Sequence, residues 1–209
     1  MSQFYYPSHF IHPEGESAYF IEHIPVWLEK LEPLKNKPNV CLEIGALYGV
    51  ASVFILENFC KLPGSYLHIM DLNINKYIEN NLSPYSNITY YKGLSEDSLR
   101  CFNHNGANKE FLDLVYIDGN HMSKHVLEDA VNSFYYLKPG GYMIFDDVGW
   151  GLEDPIHCRP KTGVEAFLHA YSAYLDQIHS GWQVIVRRND YNMTDEEKTG
   201  NYYINWHKD

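Results

Sequence analysis

The chain has 209 residues, of which 45% are hydrophobic and 21% are charged, a composition typical of a folded globular domain. No apolar run approaches the roughly 20 residues of a membrane-spanning helix, and the first residues lack the basic start and apolar core of a signal peptide. The net charge of −11 argues against a nucleic-acid-binding surface, which needs clustered Lys and Arg near phosphates.

The cysteines bear on the compartment in which the protein works. No C-x-x-C pair occurs, and the four cysteines lie far apart in the sequence, at Cys41, Cys60, Cys101 and Cys158. This spacing argues against a disulfide framework and against a zinc site, and it favours a reducing compartment. We therefore expect a cytoplasmic protein.

The first 38 residues are predicted to form an aromatic-rich lead-in, either a flap or a packing helix, ahead of a main domain over residues 39–209. Pro25 indicates the start of a helix because proline fits the first helical position. Pro33 and Pro38 indicate its end.

From residue 39 the sequence alternates between strand and helix patterns. Strands are predicted at 40–44, 66–70, 88–91, 111–117 and 142–145. Helices are predicted from 50 to 59, at 74–82, from an N-cap at Ser95, at 122–136 and at 162–178. The helix 122–136 is predicted to bury one face, formed by Val126, Ala130, Val131 and Phe134. Residues 138–141, with the sequence KPGG, are predicted to form a turn before the strand 142–145. This alternation predicts an α/β fold with a parallel sheet between two layers of helices. Two late strands, at 182–187 and 202–206, predict an antiparallel end.

The segment LEIGALYG, residues 42–49, carries two glycines directly after the first strand. Gly45 and Gly49 would permit a tight turn and close approach of a cofactor to the backbone. It is not the dinucleotide fingerprint G-x-G-x-x-G, because Leu47 occupies the second glycine position. Glu43 needs a partner near the strand end, which a cationic cofactor group would provide. The alternative is a simple turn with a solvated glutamate.

Asp71 follows the second strand. In nucleotide-binding α/β folds, an acidic residue at this position accepts hydrogen bonds from ribose hydroxyls. A lone aspartate at a strand end can also cap the next helix. The preceding glycine turn favours the ribose interpretation.

Three carboxylates follow two consecutive strands. Asp118 ends the strand 111–117, and Asp146 and Asp147 end the strand 142–145. If those strands are neighbours, they lie about 4.8 Å apart, and such like charges repel unless they are protonated or bind a cation. Oxygen ligands suit Mg²⁺ or Ca²⁺. The alternative is that Asp118 caps a helix and that the pair begins a turn.

His121 lies three residues after Asp118. An imidazole beside a metal-bound hydroxyl is suited to general-base work near neutral pH. An incidental surface histidine is the alternative, since the chain has eleven histidines. The connection 149–160 is long enough to be a lid or a binding loop.

Together these residues resemble the class I S-adenosylmethionine-dependent methyltransferases. The likeness is closest to the small metal-dependent O-methyltransferases of the catechol and macrolide-sugar kinds, and it covers about residues 39–147. It implies a Rossmann-like, doubly wound, mostly parallel seven-stranded sheet with helices on both faces and an antiparallel C-terminal strand. It also implies S-adenosylmethionine as the cofactor and a divalent metal ion, Mg²⁺.

The resemblance also implies roles for individual residues. The cofactor would be bound by Glu43, Gly45 and Gly49 at its methionine part, by Asp71 at its ribose, by Ser95 at its adenine edge, and by Asp118. The metal ligands would be Asp118, Asp146 and Asp147. His121 stands where the catechol enzymes have a lysine, and Asp147 stands where they usually have asparagine. Both departures favour a sugar or glycan hydroxyl.

We therefore expect an O-methyltransferase in which His121 is the catalytic base and a sugar or glycan is the acceptor. Candidates for the acceptor wall are Trp150, His157 and Arg159. The partner would be a small-molecule or glycan acceptor, without nucleic acid, and a homo-oligomer is left open. Alternatives are a catechol or phenol methyltransferase, a nucleotide-binding oxidoreductase and a non-catalytic binding module.

Overall fold

The computed structural model describes residues 7–14 and 19–194. Its strands are β1 (Val40–Ile44), β2 (Tyr66–Asp71), β3 (Ile88–Lys92), β4 (Leu112–Ile117), β5 (Leu137–Phe145), β6 (Leu175–Ser180) and β7 (Val184–Arg188). They form one sheet in the order β3-β2-β1-β4-β5-β7-β6. Strands β1 to β5 run parallel, whereas β7 runs antiparallel to both β5 and β6. The predicted seven-stranded, mostly parallel sheet with an antiparallel end is confirmed.

Helices cover both faces of this sheet. They are α1 (Ile24–Lys30), α2 (Val50–Asn58), α3 (Lys76–Leu82), α4 (Ser95–Arg100), α5 (Ser123–Phe134) and α6 (Pro160–Ala170). Short 3-10 segments occur at Tyr19–His23, Glu32–Leu34, Ile156–Cys158 and Ser172–Tyr174. Within the ranges 7–14 and 19–194, no helix combines the length and the apolarity that a membrane span requires.

Alternate side chains of the central strands enter two separate cores. In β4, Tyr116 belongs to the core that α1, α2 and α3 cover, whereas Val115 belongs to the core under α4, α5 and α6. Both side chains are fully buried because the strand is covered on both faces. Trp27 and Leu31, from the N-terminal lead-in, are also fully buried in the first core.

The predicted helix 162–178 is wrong beyond Ala170. After that residue the chain makes a 3-10 turn and then forms β6, which pairs with β7 as a hairpin. The apolar spacing of Tyr171, Leu175 and Ile178 fits a helix equally well, but backbone pairing with β7 determines the outcome. The predicted strand 182–187 begins only at Val184, so residues 181–183 form the hairpin loop. The predicted strand 202–206 lies outside the described residues.

Three smaller predictions also need correction. The N-cap of α4 is Leu94, and the Ser95 side chain is used in a contact with another helix. The predicted turn 138–141 is an irregular part of β5, where the register with β4 shifts. Val131, predicted on the buried face of α5, is 38% exposed, while Asp129 and Ser133 are buried on that helix.

Candidate active site

The carboxyl ends of β1, β4 and β5 are aligned. The Asp118 amide donates to the carbonyl of Ile44 over 2.8 Å, and the Asp146 amide donates to the carbonyl of Ile117 over 3.0 Å. The strand order reverses between β1 and β4, the position at which open α/β sheets bind ligands. A cleft of about 1020 Å³ opens there, which is large enough for a nucleotide-sized ligand.

Gly45 is required by the contact between the loop after β1 and the end of β4. Its φ is +84°, and a Cβ built on it would lie 2.0 Å from the Asp118 carbonyl oxygen. No other residue fits this position without moving one of the two segments. Gly49, with a φ of +83°, is the N-cap of α2 and is not among the residues that line the cleft.

Asp71 fastens the glycine loop to the end of β2. Its Oδ2 accepts hydrogen bonds from the amides of Ala46 (2.8 Å) and Leu47 (3.1 Å), and its Oδ1 accepts one from Asn73 (2.8 Å). The side chain lines the cleft. Asp71 does not cap the next helix, because the N-cap of α3 is Asn75.

Glu43 has a partner within the protein. It is 1% exposed, and its Oε2 accepts a hydrogen bond of 2.5 Å from the Ser52 hydroxyl on α2. Burial raises the pKa of Glu43 to about 8, although the bond from Ser52 acts to lower it. At neutral pH the protonated form therefore predominates, and this carboxyl group does not need a cation for its burial.

Ser95 links α4 to α5 beside the cleft. Its hydroxyl donates a hydrogen bond of 2.6 Å to Oδ1 of Asp129, which is almost completely buried. Burial raises the pKa of Asp129 to about 6, against the effect of this bond. Ser95 lines the cleft, as its predicted role requires.

Asp118, His121 and Asp147 converge at one wall of the cleft. Each offers one possible ligand atom, and the three atoms lie within 4.8 Å of one another. His121 Nε2 lies 3.0 Å from Oδ2 of Asp147, and this bond raises the pKa of His121. Asp147 has a φ of +53°, a conformation that is uncommon outside glycine and is often found at functional sites.

Asp146 lies beside this group and also lines the cleft, but its Oδ2 is directed into the protein. Its Oδ2 accepts hydrogen bonds from the hydroxyl of Tyr116 and, over 2.8 Å, from Nε2 of Gln183. Its Oδ1 accepts the Asp147 amide over 2.7 Å. Burial, and then the charges of Asp146 and Asp147, hold the pKa of Asp118 well above its usual range. Such crowding of carboxylates fits a divalent cation bound through oxygen.

The three candidates for the acceptor wall are not brought together. Trp150 lines the cleft, with its ring centroid 5.8 Å from that of His121. His157 and Arg159 are absent from the cleft lining. The carbonyl of His157 accepts a bond from Ser123, and Nε of Arg159 donates to the carbonyl of Asp154.

Sequence reasoning missed four residues that border the site: Tyr116, His23, Trp182 and Gln183. Tyr116 had a signal, since it stands two residues before Asp118 and so shares its strand face. Its hydroxyl donates to Oδ2 of Asp118 over 2.9 Å. Trp182 and Gln183 had none, because the β6–β7 hairpin brings them to the site from a distant part of the sequence. The Trp182 indole N–H donates to Oδ1 of Asp147 over 3.2 Å.

Solved structures with the same fold include several methyltransferases. MycE methyltransferase from the mycinamycin biosynthetic pathway, in complex with Mg and SAH, is 18% identical, with a TM-score of 0.61 over 83% of this chain and 52% of that chain. The chain thus spans about half the length of MycE. The O-methyltransferase TomG from Streptomyces achromogenes, in complex with SAM, is 18% identical, with a TM-score of 0.61 over 78% of each chain.

The O-methyltransferase from Bacillus cereus, in complex with SAH, is 16% identical, with a TM-score of 0.61 over 88% of this chain and 84% of that chain. At these identities the likeness shows the fold. No curated protein sequence matches the chain at a significant level.

The comparison with protein families shows the family of the chain in addition to its fold. Residues 42–148, just over half of the chain, match the family described as "Methyltransferase domain". The matched segment contains the glycine loop, Asp71, Asp118, His121 and Asp147. The chain belongs to this methyltransferase family, so the predicted methyltransferase family and the predicted Rossmann-like fold are confirmed.

Proposed function

We propose that the protein uses S-adenosylmethionine and a divalent metal ion to methylate a hydroxyl group of a sugar or glycan. The observation that carries this proposal is the convergence of Asp118, His121 and Asp147 within 4.8 Å. These residues line the same cleft as Gly45 and Asp71. The loop assigned to the cofactor and the group assigned to the cation thus line one cavity.

The cofactor, which supplies the activated methyl group, is assigned to the side of the cleft formed by β1 and β2. The backbone of Gly45 and the half-buried Asp71 carboxylate face this space. Oδ2 of Asp71 already accepts two amides and Oδ1 accepts one. Because each carboxylate oxygen has two lone pairs, Oδ1 can still accept a hydrogen bond from a ribose hydroxyl while Asp71 holds the glycine loop. Support comes from MycE, TomG and the Bacillus cereus enzyme, whose structures contain SAH or SAM.

The metal ion, proposed as Mg²⁺, is assigned to Asp118, Asp147 and the Oδ1 side of Asp146. Bound there, it would lower the pKa of an acceptor hydroxyl. Burial acts to raise the pKa of Asp147, but the bonds from His121 and Trp182 lower it overall, so this carboxylate stays charged as a ligand must. The structure of MycE contains Mg.

His121 is assigned the role of general base, which accepts the proton of the acceptor hydroxyl. Its pairing with Asp147 orients the imidazole ring and favours the protonated form that it reaches after the transfer. The cofactor, held along Gly45 and Asp71, would supply the methyl group to the acceptor oxygen, with S-adenosylhomocysteine as the leaving group. Holding both reactants in the cleft contributes up to ~7–11 kcal/mol in favourable cases.

The sugar acceptor is supported by the residue types at this wall. Trp150 presents an indole face, 52% exposed, beside His121. MycE has been solved in complex with Mg, SAH and mycinamycin VI, at 17% identity to this chain.

All four cysteines are free, which supports a cytoplasmic location.

The test is methyl transfer to a panel of acceptors. The protein, S-adenosylmethionine and Mg²⁺ are incubated with rhamnosides and other glycosides, and in parallel with catechols. We expect a methyl ether on a glycoside, no product in excess EDTA, and recovery with Mg²⁺. Asp147→Ala should lower turnover at least a hundredfold, because it removes a metal ligand and the partner of His121.

The control is Glu165→Gln, which changes an exposed carboxylate on α6 and should keep wild-type turnover. Full activity in excess EDTA would refute the metal role. Methylation of catechols but of no glycoside would move the assignment to phenols, and binding of NAD in place of S-adenosylhomocysteine would indicate an oxidoreductase.

A further inference from the structure

A buried hydrogen-bond chain joins Asp146 to the N-terminal helix α1. Gln183 is 1% exposed in the β6–β7 hairpin loop, and its Nε2 donates to Oδ2 of Asp146 over 2.8 Å. Its Oε1 accepts a hydrogen bond of 2.7 Å from Nε1 of Trp27, which is fully buried on α1. Three segments that are distant in sequence are thus connected behind the candidate metal site.

Trp27 reaches the same carboxylate by a second route. Its ring meets the ring of Tyr116 edge-to-face, with centroids 4.9 Å apart. The hydroxyl of Tyr116 then bonds Oδ2 of Asp146 and Oδ2 of Asp118. A change at Trp27 therefore acts on Asp146 through both Gln183 and Tyr116.

The donors and acceptors in this series of hydrogen bonds fix the orientation of the Gln183 amide. The Trp27 indole N–H is only a donor, so the amide oxygen of Gln183 must face it. The amide NH₂ of Gln183 must then point at Asp146. With Oδ2 held by Gln183 and Tyr116, the second oxygen of Asp146 is left on the side of Asp147 and His23, whose Nε2 lies 4.0 Å away.

We propose that Trp27 and Gln183 are positioning residues that fix Asp146 for cation binding, so that α1 supports the metal site. This inference rests on the proposed function, because it assumes a cation at Asp118, Asp146 and Asp147. Groups that orient metal ligands typically change metal affinity 10–100-fold when they are replaced. A role in packing alone would change stability and leave metal affinity unaltered.

The test measures binding of Mn²⁺ by electron paramagnetic resonance, and binding of S-adenosylhomocysteine by calorimetry as a separate readout. Gln183→Met keeps the volume of the side chain and removes both bonds. We expect Mn²⁺ to bind at least tenfold more weakly, with unchanged affinity for S-adenosylhomocysteine. Trp27→Phe removes the indole N–H and should weaken Mn²⁺ binding less. The double variant should resemble Gln183→Met alone, because Trp27→Phe keeps an aromatic ring against Tyr116 and the indole N–H that it removes bonds only to Gln183.

The matched control is Leu31→Val, which removes one methylene from a fully buried residue of the same core as Trp27. It should lower stability and leave Mn²⁺ affinity unchanged. Wild-type affinity in folded Gln183→Met, or an equal loss in the control, would overturn the inference. If Gln183→Met does not fold, Trp27→Phe decides, and wild-type affinity in that variant overturns it. Absence of Mn²⁺ binding by the wild-type protein would refute the metal part of the proposed function itself.

Discussion

Gly45 is the residue at which the loop after β1, proposed to bind the cofactor, meets the end of β4, which carries the proposed metal ligand Asp118. Its Cα lies so close to the end of β4 that an added Cβ would be 2.0 Å from the Asp118 carbonyl oxygen. The position of the Cβ is fixed by the backbone of residue 45, and the oxygen belongs to the backbone of Asp118, so neither atom can rotate out of the contact. Glycine at position 45 therefore permits the close contact between the loop after β1 and the end of β4, the two segments that form the candidate site.

Gly45→Ala should lower the free energy of unfolding by about 3 kcal/mol, as the sum of a left-handed backbone and an overpacked contact. Binding of S-adenosylhomocysteine should weaken as well. The matched control is Gly106→Ala, at a φ of +82° with no atom within 4 Å of the added Cβ, which should lose only about 1 kcal/mol. Urea unfolding measures both, and equal losses would show that the contact with Asp118 has no energetic effect.

At the residue scale, the sequence predicts those site residues that directly follow strands. Asp118, Asp146 and Asp147 are placed by strand ends alone, and His121 by its distance from Asp118. Gln183 and Trp182 are not predictable in this way, because a hairpin joins them to the site and no local pattern specifies it. The bonds that hold Oδ2 of Asp146 away from the other proposed ligands also depend on a side chain of this hairpin, Gln183.

At the element scale, the contact between α5 and α6 positions the segment that follows His121. Gly163 of α6 packs directly on the first turn of α5, where a Cβ would lie 2.3 Å from the Ser123 carbonyl oxygen and 3.1 Å from Cβ of Val126. Ser123 is only two residues after His121. The two helices can approach this closely because one of them carries no side chain at the contact.

Gly163→Ala reverses the usual effect of this substitution. In an exposed helix interior, alanine in place of glycine stabilises by about 1 kcal/mol. Here overpacking costs about 1–3 kcal/mol, so we expect a net loss in the free energy of unfolding of about 1 kcal/mol, measured by urea unfolding. Glu165→Ala, on the exposed side of the same helix, should stay within about 0.5 kcal/mol of wild type. A gain in stability for Gly163→Ala would contradict the close contact.

The sequence predicts helices and strands correctly where the spacing of apolar residues fits only one of the two, and it fails where the same spacing fits both. The strands β1 to β4 are short buried runs bounded by turn residues, which the pattern identifies. After Ala170 a helix and an edge hairpin bury similar apolar residues, and only the pairing of β6 with β7 distinguishes them. That failure concealed the hairpin loop and the two site residues it carries.

At the scale of the whole molecule, stability should depend on the protonation of His68. This residue of β2 is 3% exposed, and its ring nitrogens contact the hydroxyl of Tyr91 (3.2 Å) and Nδ1 of His104 (3.0 Å). Burial, and then the charge of His104, lower the pKa of His68 to about 4. In the unfolded chain a histidine has a pKa of about 6.5.

Between these two pKa values, the unfolded chain binds a proton at His68 that the folded protein does not bind. Stability is therefore fully present above pH ~6.5 and is lost as the pH falls towards 4. From pH 7 to pH 5, wild type should lose about 2 kcal/mol more than His68→Gln, which keeps polar contacts but cannot be protonated. Exposed His169→Gln should follow wild type. Parallel stability curves for His68→Gln and wild type would contradict this account.

The order β3-β2-β1-β4-β5-β7-β6 explains why one cleft can serve both halves of the proposed reaction. The chain reverses direction across the sheet after β3, so the loops after β1 and β4 diverge and leave a crevice between them. The cofactor side is assigned to β1 and β2, and the metal side to β4 and β5. On the buried side of the proposed metal site, Gln183 of the hairpin loop bonds to Asp146, and Trp27 of α1 bonds to Gln183.

The most direct test of the central claim is a crystal structure with S-adenosylhomocysteine and Mn²⁺, with data collected at the manganese absorption edge. The account predicts an anomalous peak between Asp118 and Asp147, within about 2.0–2.4 Å of their carboxylate oxygens, and S-adenosylhomocysteine in the same cleft along Gly45 and Asp71. S-adenosylhomocysteine bound in that cleft at saturating Mn²⁺, with no anomalous peak at these carboxylates, would contradict it.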